Sequence, residues 1–142
     1  MSDDQPRDSE WMTFMAKLQA AEQEFVQGQP AAFKQLWSRA NDVTLCGGFG
    51  GIASGWQNVA ARLDWASSKY SNGSRTSEEI RSVVGNDFAY VVQNEVISFR
   101  MPGRLEESRQ ELRATMVFRH EVAGWRILHR HADSQTGIQP PS

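Results

Sequence analysis

The segment Trp125-Arg126-Ile127-Leu128-His129-Arg130-His131-Ala132-Asp133 constrains the fold more than any other stretch of this chain. It follows a turn-like Glu121-Val122-Ala123-Gly124 and the apolar run Met116-Val117-Phe118, so two strands joined by a tight turn are expected. A strand alternates its side chains between two faces. Strict alternation puts Trp125, Ile127, His129, His131 and Asp133 on one face, and Arg126, Leu128, Arg130 and Ala132 on the other. Two histidines then project side by side, next to a large apolar anchor, as the wall of a polar-tipped pocket. Antiparallel counting through the turn sets Met116 opposite His129 and Ala114 opposite His131.

Upstream, the period changes. From Ser9 to about Gln27, the residues Trp11, Phe14, Met15, Leu18, Glu22 and Phe25 trace one side of a helix, and all but Glu22 are apolar. Ser9 is read as the N-cap and Gly28 as the stop. Pro30 suits the first turn of a shorter helix carrying Phe33, Leu36, Trp37 and Ala40. Residues 43–46 form a short strand candidate that runs into Gly47-Gly48-Phe49-Gly50-Gly51. That run lacks both the ending of a P-loop and the spacing of a dinucleotide fingerprint, so it reads as a tight backbone passage carrying one aromatic. A third helix opens at Ser54 or Gly55 and lasts to about Lys69, with Trp56, Val59, Ala60, Leu63, Ala66, Ser67 and Tyr70 inward. Trp65 lies opposite this stripe, as a helix or subunit contact or as a stacking platform. Ser71-Asn72-Gly73-Ser74 reads as a loop. Strands are expected at 79–84, 88–99, 110–120 and 125–132, with Gly85-Asn86-Asp87 joining the first pair.

Three helices followed by an antiparallel meander make one α+β domain over residues 9–133, flanked by flexible tails at 1–8 and 134–142. Glu111, Arg113, Arg119, Glu121, Arg126 and Arg130 would charge the sheet face that helices leave open. The 142 residues suffice for one buried core. The net charge of −2 argues against a nucleic-acid partner. No apolar run reaches the roughly 20 residues that span a bilayer. Met1-Ser2-Asp3-Asp4 does not read as a secretory signal, and the single Cys46 allows no internal disulfide, so a reducing cytoplasm is the expected location.

The order helix, helix, short strand, Gly-rich turn, helix and long hairpins resembles the SnoaL-like group of the nuclear-transport-factor-2-like superfamily. The resemblance is carried by Asp42-Val43-Thr44-Leu45, Gly51-Ile52-Ala53-Ser54-Gly55-Trp56 and residues 125–133. It implies a cone-shaped domain with three N-terminal helices packed on a strongly curved, mainly antiparallel sheet. It also implies an apolar pocket between sheet and helices, and a homodimer through the sheet. Such folds host many activities, so function must come from the site. Overlaid on the pattern of ketosteroid isomerases, the chain has Cys46-Gly47 where the base would be. Ala21 stands where the helix tyrosine would be, and Met116 where the protonated aspartate would be, so ketosteroid isomerisation is not expected. The same overlay points Tyr90, Asn94, Met116, Phe118, His129 and His131 into the pocket.

Three readings of the histidine pair stand side by side. A two-residue spacing can chelate a metal, but a third ligand is wanting: Asp133 lies at the strand end, His120 is too far away and Glu95 has the wrong parity. Acid/base chemistry suits a group that titrates near neutrality. Hydrogen-bonded histidines in a pocket floor need no function at all. Arg62, off the stripe of its helix, either reaches the pocket mouth to bind a carboxylate or solvates the helix. Tyr90, Asn94, Met116, Phe118, Arg62 and Trp56 are the expected ligand-binding residues, with His129 and His131 as the catalytic pair, and no metal or cofactor. The expected function is a small-molecule-binding domain with an enclosed, partly apolar pocket, acting as an isomerase, cyclase or dehydratase. The alternative is a non-catalytic dimerisation or association module.

Overall fold

The structure is a computed structural model that describes residues 5–140. Its elements run α1 (Gln5–Phe25), α2 (Ala31–Gln35), β1 (Thr44–Cys46), β2 (Ala53–Ser54), α3 (Trp56–Ser67), β3 (Ser71–Val84), β4 (Phe88–Arg100), β5 (Glu107–Glu121) and β6 (Gly124–Ser134). The six strands form one curled sheet in the order β2-β1-β6-β5-β4-β3. Every pairing is antiparallel except β1 with β6. This is the cone-shaped α+β architecture, with helices on the concave face.

Helix α1 begins one turn earlier than the Ser9 cap implies. Asp8 in its first turn complements the helix dipole. The residues expected as the rest of the N-terminal tail, 1–4, lie outside the described residues. Gly28, at φ +87°, ends the helix, and its N–H reaches back to the Phe25 carbonyl at 3.1 Å. Strand β3 starts at Ser71, in the stretch read as a loop. Asn72 takes φ 51°, and the pairing with β4 slips between Ser71 and Ser74, so turn-forming residues here make a bulge rather than a connection.

A second bulge sets the faces of β6. Phe118 pairs with Ile127, but Val117 pairs with His129, so Leu128 is the extra residue. Its effect on the alternation is complete, because one inserted residue flips everything beyond it. Trp125 and Ile127 stay inward, as expected. Arg130 and Ala132 then turn inward opposite Met116 and Ala114, while His129 and His131 turn outward opposite Val117 and Thr115. The Met116–His129 and Ala114–His131 pairings of simple counting are therefore each off by one residue.

Strand β4 is the second correction. Both parities of this strand are half apolar, so the sequence does not choose between them. Its buried residues are Ala89, Val91, Gln93, Glu95, Ile97 and Phe99, and Tyr90 and Asn94 lie on the opposite face.

These registers divide the core in two. One cluster gathers Phe14, Leu18, Phe33, Trp37, Val91, Met116, Phe118, Trp125 and Ile127. Trp11 stands edge-on to both Phe118 and Trp125, at 5.1 Å from each. The other gathers Val26, Tyr70, Ile97, Phe99, Leu112, Ala114 and Ala132. Each large side chain so buried contributes roughly 1.5–3 kcal/mol. On β4 and β6 the step from one cluster to the other passes through polar residues: Gln93 and Glu95 on the first, Arg130 on the second. That seam is where the site lies.

Candidate functional site

A cavity of about 60 Å³ opens at the seam between helices and sheet. Its apolar wall includes Phe25, Phe33, Leu45, Leu63, Ile97 and Leu112, and its charged groups are Glu22, Arg62, Arg75, Glu95 and Arg130. Four of these five form one buried network. Glu95, fully buried, accepts from Arg130 Nη1 at 2.8 Å and Nη2 at 2.7 Å, and from Gln93 Nε2 at 2.7 Å. Arg75 Nη2 sits 3.0 Å from both Glu22 Oε2 and Glu95 Oε2. Its N–H groups are aimed at neither carboxylate, so this nitrogen carries charge contacts without a formed hydrogen bond.

Local structure explains the assembly. Gln23 on α1 donates to the Gly73 carbonyl at 2.9 Å and accepts from the Arg75 backbone N–H at 3.0 Å. This clamp fixes the end of α1 on β3 and brings neighbouring Glu22 to Arg75. Gly73 permits the approach, since a Cβ there would lie 2.0 Å from the Val26 carbonyl oxygen. The bulge at Leu128 delivers Arg130 to Glu95 from the other side.

The two carboxyl groups are driven apart. Burial is the largest influence on Glu22 and penalises its charge. Arg75 opposes that effect and Glu95 adds to it, and the carboxyl is pushed up to about 7. Burial acts on Glu95 as well, but there the Arg130 charge, the hydrogen bonds from Arg130 and Gln93, and Arg75 outweigh it. Its pKa is held well below the usual carboxylate range. Glu95 is thus a fixed anion and Glu22 an exchangeable proton site, two acids in one cavity with different roles. The Tyr70 hydroxyl, donating to Gln110 Oε1 at 2.5 Å, is raised to about 12, chiefly by burial, and stays protonated.

Of the residues singled out from the sequence, Arg62 lines the cavity. It donates to the Gly50 carbonyl and lies 4.5 Å from the Trp65 ring centroid. Phe49, from the Gly-rich turn, also lines the cavity and packs edge-on to Trp65 and tilted against Tyr70. Met116 and Phe118 point inward as expected but are packed in the first core cluster; Met116 Sδ lies 3.6 Å from Arg130 Nη1. Trp56 sits at the start of α3, with the Arg39 guanidinium 3.9 Å above its ring, away from the cavity. Tyr90 and Asn94 are on the outer sheet face.

The histidines are there too. His129 Nδ1 and Thr44 Oγ1 are 2.7 Å apart. Burial lowers the His129 pKa, the contact with Thr44 opposes this, and His131 adds to the lowering. His131 is exposed, 3.8 Å from Asp133, which also pairs with Arg113 at 3.1 Å. Among the described residues, no three of His, Cys, Asp and Glu converge as metal ligands. No described helix is long and apolar enough to cross a membrane.

Glu22 and Glu95 were missed as site residues, although each left a signal. Glu22 is the one charged residue on the apolar stripe of α1. Glu95 sits amid Val91, Val92, Val96 and Ile97 in a strand whose buried parity also holds Gln93.

The sequence profile of the SnoaL-like domain matches residues 14–134. No curated protein matches the chain. Several solved structures share the fold. A proposed dehydratase of the nuclear-transport-factor-2-like family from Streptomyces avermitilis superposes with a TM-score of 0.75 at 19% identity, over 92% of this chain and 99% of that one. A proposed calcium/calmodulin-dependent protein kinase type II association domain from Thiobacillus denitrificans gives 0.70 at 19% identity, over 87% and 93%. A ketosteroid isomerase-like protein from Erwinia carotovora atroseptica gives 0.70 at 11% identity, over 96% and 100%.

Proposed function

We propose that this chain, which belongs to the SnoaL-like domain family, is a small-molecule acid/base enzyme in which Glu22 moves the proton. The observation that carries this reading is the pairing of an exchangeable Glu22 with a permanently ionised Glu95 in one partly apolar cavity. A base poised near neutrality is matched to abstracting a proton from carbon beside a carbonyl. In that step the Glu22 carboxylate takes the proton, the C–H electrons form the enolate C=C bond, and the carbonyl oxygen gains the negative charge. Arg75, whose Nη2 lies 3.0 Å from Glu22 Oε2, is the cation beside that base, and its charge stabilises the oxygen as it becomes negative. Protonated Glu22 then returns the proton, either to another carbon or to a departing hydroxyl, which gives isomerisation or dehydration. Ala21, where the family overlay wanted a phenol, is next to Glu22, so acid chemistry enters this pocket from the same turn of α1.

The test is solvent exchange. Small ketones and β-hydroxy ketones are incubated in D2O with the protein, and deuterium incorporation at the α-carbon is followed by NMR. At least one compound should exchange faster than in buffer, and Glu22→Gln should slow that exchange by about 100-fold or more, the usual contribution of a positioned base. No acceleration with any compound, or equal acceleration by the variant, would refute the assignment.

A second reading, a non-catalytic association module, is supported by the outer sheet face. Phe88, Tyr90 and Val83 are 54%, 40% and 45% exposed there, an apolar surface that a second copy of the chain would cover. Light scattering should give a dimer mass at micromolar concentration, and a monomer mass removes this reading.

A further inference from the structure

The charge count of the cavity points to its ligand. Five charged residues line it, two acidic and three basic, so the lining is net positive even with Glu22 ionised. The chain as a whole carries −2. Arg75 and Arg130 are committed to Glu22 and Glu95 at 2.7–3.0 Å. The excess cation is therefore Arg62. Among the described residues, no carboxylate lies within salt-bridge distance of its guanidinium, whose one hydrogen bond is to the Gly50 carbonyl. A guanidinium carries five N–H donors in a planar fork, and a single carbonyl leaves most of them unused.

The surroundings hold this side chain at the cavity wall. Gly51, at φ +77°, leaves the space that the guanidinium fills, since a Cβ there would come within 2.9 Å of Arg62 Nη2. Trp65 lies beneath the same group. The rest of the lining includes Phe25, Phe33, Leu63 and Leu112, an apolar surface with no charge to offer. The volume, about 60 Å³, is far below the roughly 300–1,000 Å³ of pockets for drug-sized ligands.

We propose that the pocket takes a small organic monocarboxylate, its carboxylate held by the Arg62 fork at the mouth and its short apolar body against Phe25, Phe33, Leu63 and Leu112. This rests on the reading of the cavity as a small-molecule site and names the ligand class that Arg62 selects. Arg62 is then the specificity residue of the pocket. It reads the anionic end of the ligand, leaving the Glu22–Arg75 floor to act on the other end.

The probes are butyrate, 1-butanol and n-butylamine, which share one apolar body and differ in head group. Each is titrated into 15N-labelled protein at constant pH, and the amide shifts of residues 22, 49, 63 and 112 are followed. Butyrate should bind about tenfold or more tighter than 1-butanol, the worth of one charge-assisted hydrogen bond. n-Butylamine should leave the cavity amides unmoved. Arg62→Gln should bring butyrate down to the affinity of 1-butanol, and Arg62→Lys should keep part of the preference because it keeps the charge and loses the fork. Equal binding of acid and alcohol overturns the inference while leaving the pocket standing, as does a preference that survives Arg62→Gln. Cavity amides unmoved by all three probes overturn both the inference and the small-molecule reading. If Arg62→Gln does not give a folded amide spectrum, the ranking of the three probes on the wild type decides.

Discussion

Glu95→Ala should cost about 3–5 kcal/mol of folding stability, the loss expected when a buried ion pair is broken from one side. Glu95 is fully buried and accepts from both terminal nitrogens of Arg130 and from Gln93. Its removal leaves Arg130 and Arg75 with Glu22 as the one remaining acid of the network. Glu22 softens the loss. Without the neighbouring negative charge that helps hold its carboxyl up, it ionises more readily and offsets part of the exposed positive charge. A paired replacement separates charge imbalance from packing. Glu95→Leu combined with Arg130→Met removes the central anion and its main partner together, and should recover most of the loss, because apolar replacement of a whole buried pair is often neutral or better. Urea denaturation of the three proteins measures this through the shift in midpoint at constant slope. A single-site loss under about 1 kcal/mol would mean that water reaches the seam between the two core clusters and screens it.

The second large effect is a pH dependence with an unusual sign. Most native carboxylates titrate lower than in the unfolded chain, so stability grows as pH rises. Glu22 does the reverse. Between its ordinary value of 4.5 and about 7, the native state holds a proton that the unfolded state has released. The stability linked to Glu22 is therefore full below about pH 4.5 and is lost as pH rises through about 7. The shift corresponds to about 3 kcal/mol across that window. Glu22→Gln, neutral at every pH, should abolish this loss and be more stable than the wild type at pH 8. His129, whose folded pKa is lowered, contributes the opposite slope, with stability lost as pH falls below the ordinary histidine value of 6.5. The difference between wild type and variant cancels that contribution and isolates Glu22. A difference that does not change between pH 4.5 and 8 would deny the unusual ionisation.

How much of this could be read from the chain depended on which physical signal each element carried. The fold was legible because long regular stretches dominate it: the apolar stripe of α1, the inner face of α3, and the β-branched and aromatic runs of β4, β5 and β6 separated by turn residues. Ser71 to Ser74 misled because Asn, Gly and Ser mark both a loop and a bulged strand start, and pairing with β4 is a tertiary choice. The site was lost at two single residues. Leu128 is an ordinary apolar strand residue beside Ile127, so nothing local marks it as the bulge that turns Arg130 in and His129 out. Strand β4 offers Tyr90, Val92 and Asn94 on one face and Val91, Gln93 and Glu95 on the other, and the register with β5 selects the second. Glu22 was visible as the exception on its stripe, but its meaning needed Arg75, which lies on a strand that Gln23 clamps to the helix. Arg62 was placed at the pocket mouth as one of two readings, and the Gly51 gap beside it could be seen only once the turn was folded.

The most direct measurement of the central claim is the ionisation of Glu22 itself. Side-chain carboxyl 13C shifts, assigned by loss of the Glu22 resonance in Glu22→Gln, are followed from pH 3 to pH 9. The account predicts that Glu22 titrates with a midpoint near 7 and that Glu95 stays ionised through the whole range. A Glu22 midpoint at its ordinary value of 4.5 or below would contradict it, because the cavity would then hold two fixed anions and no group able to move a proton.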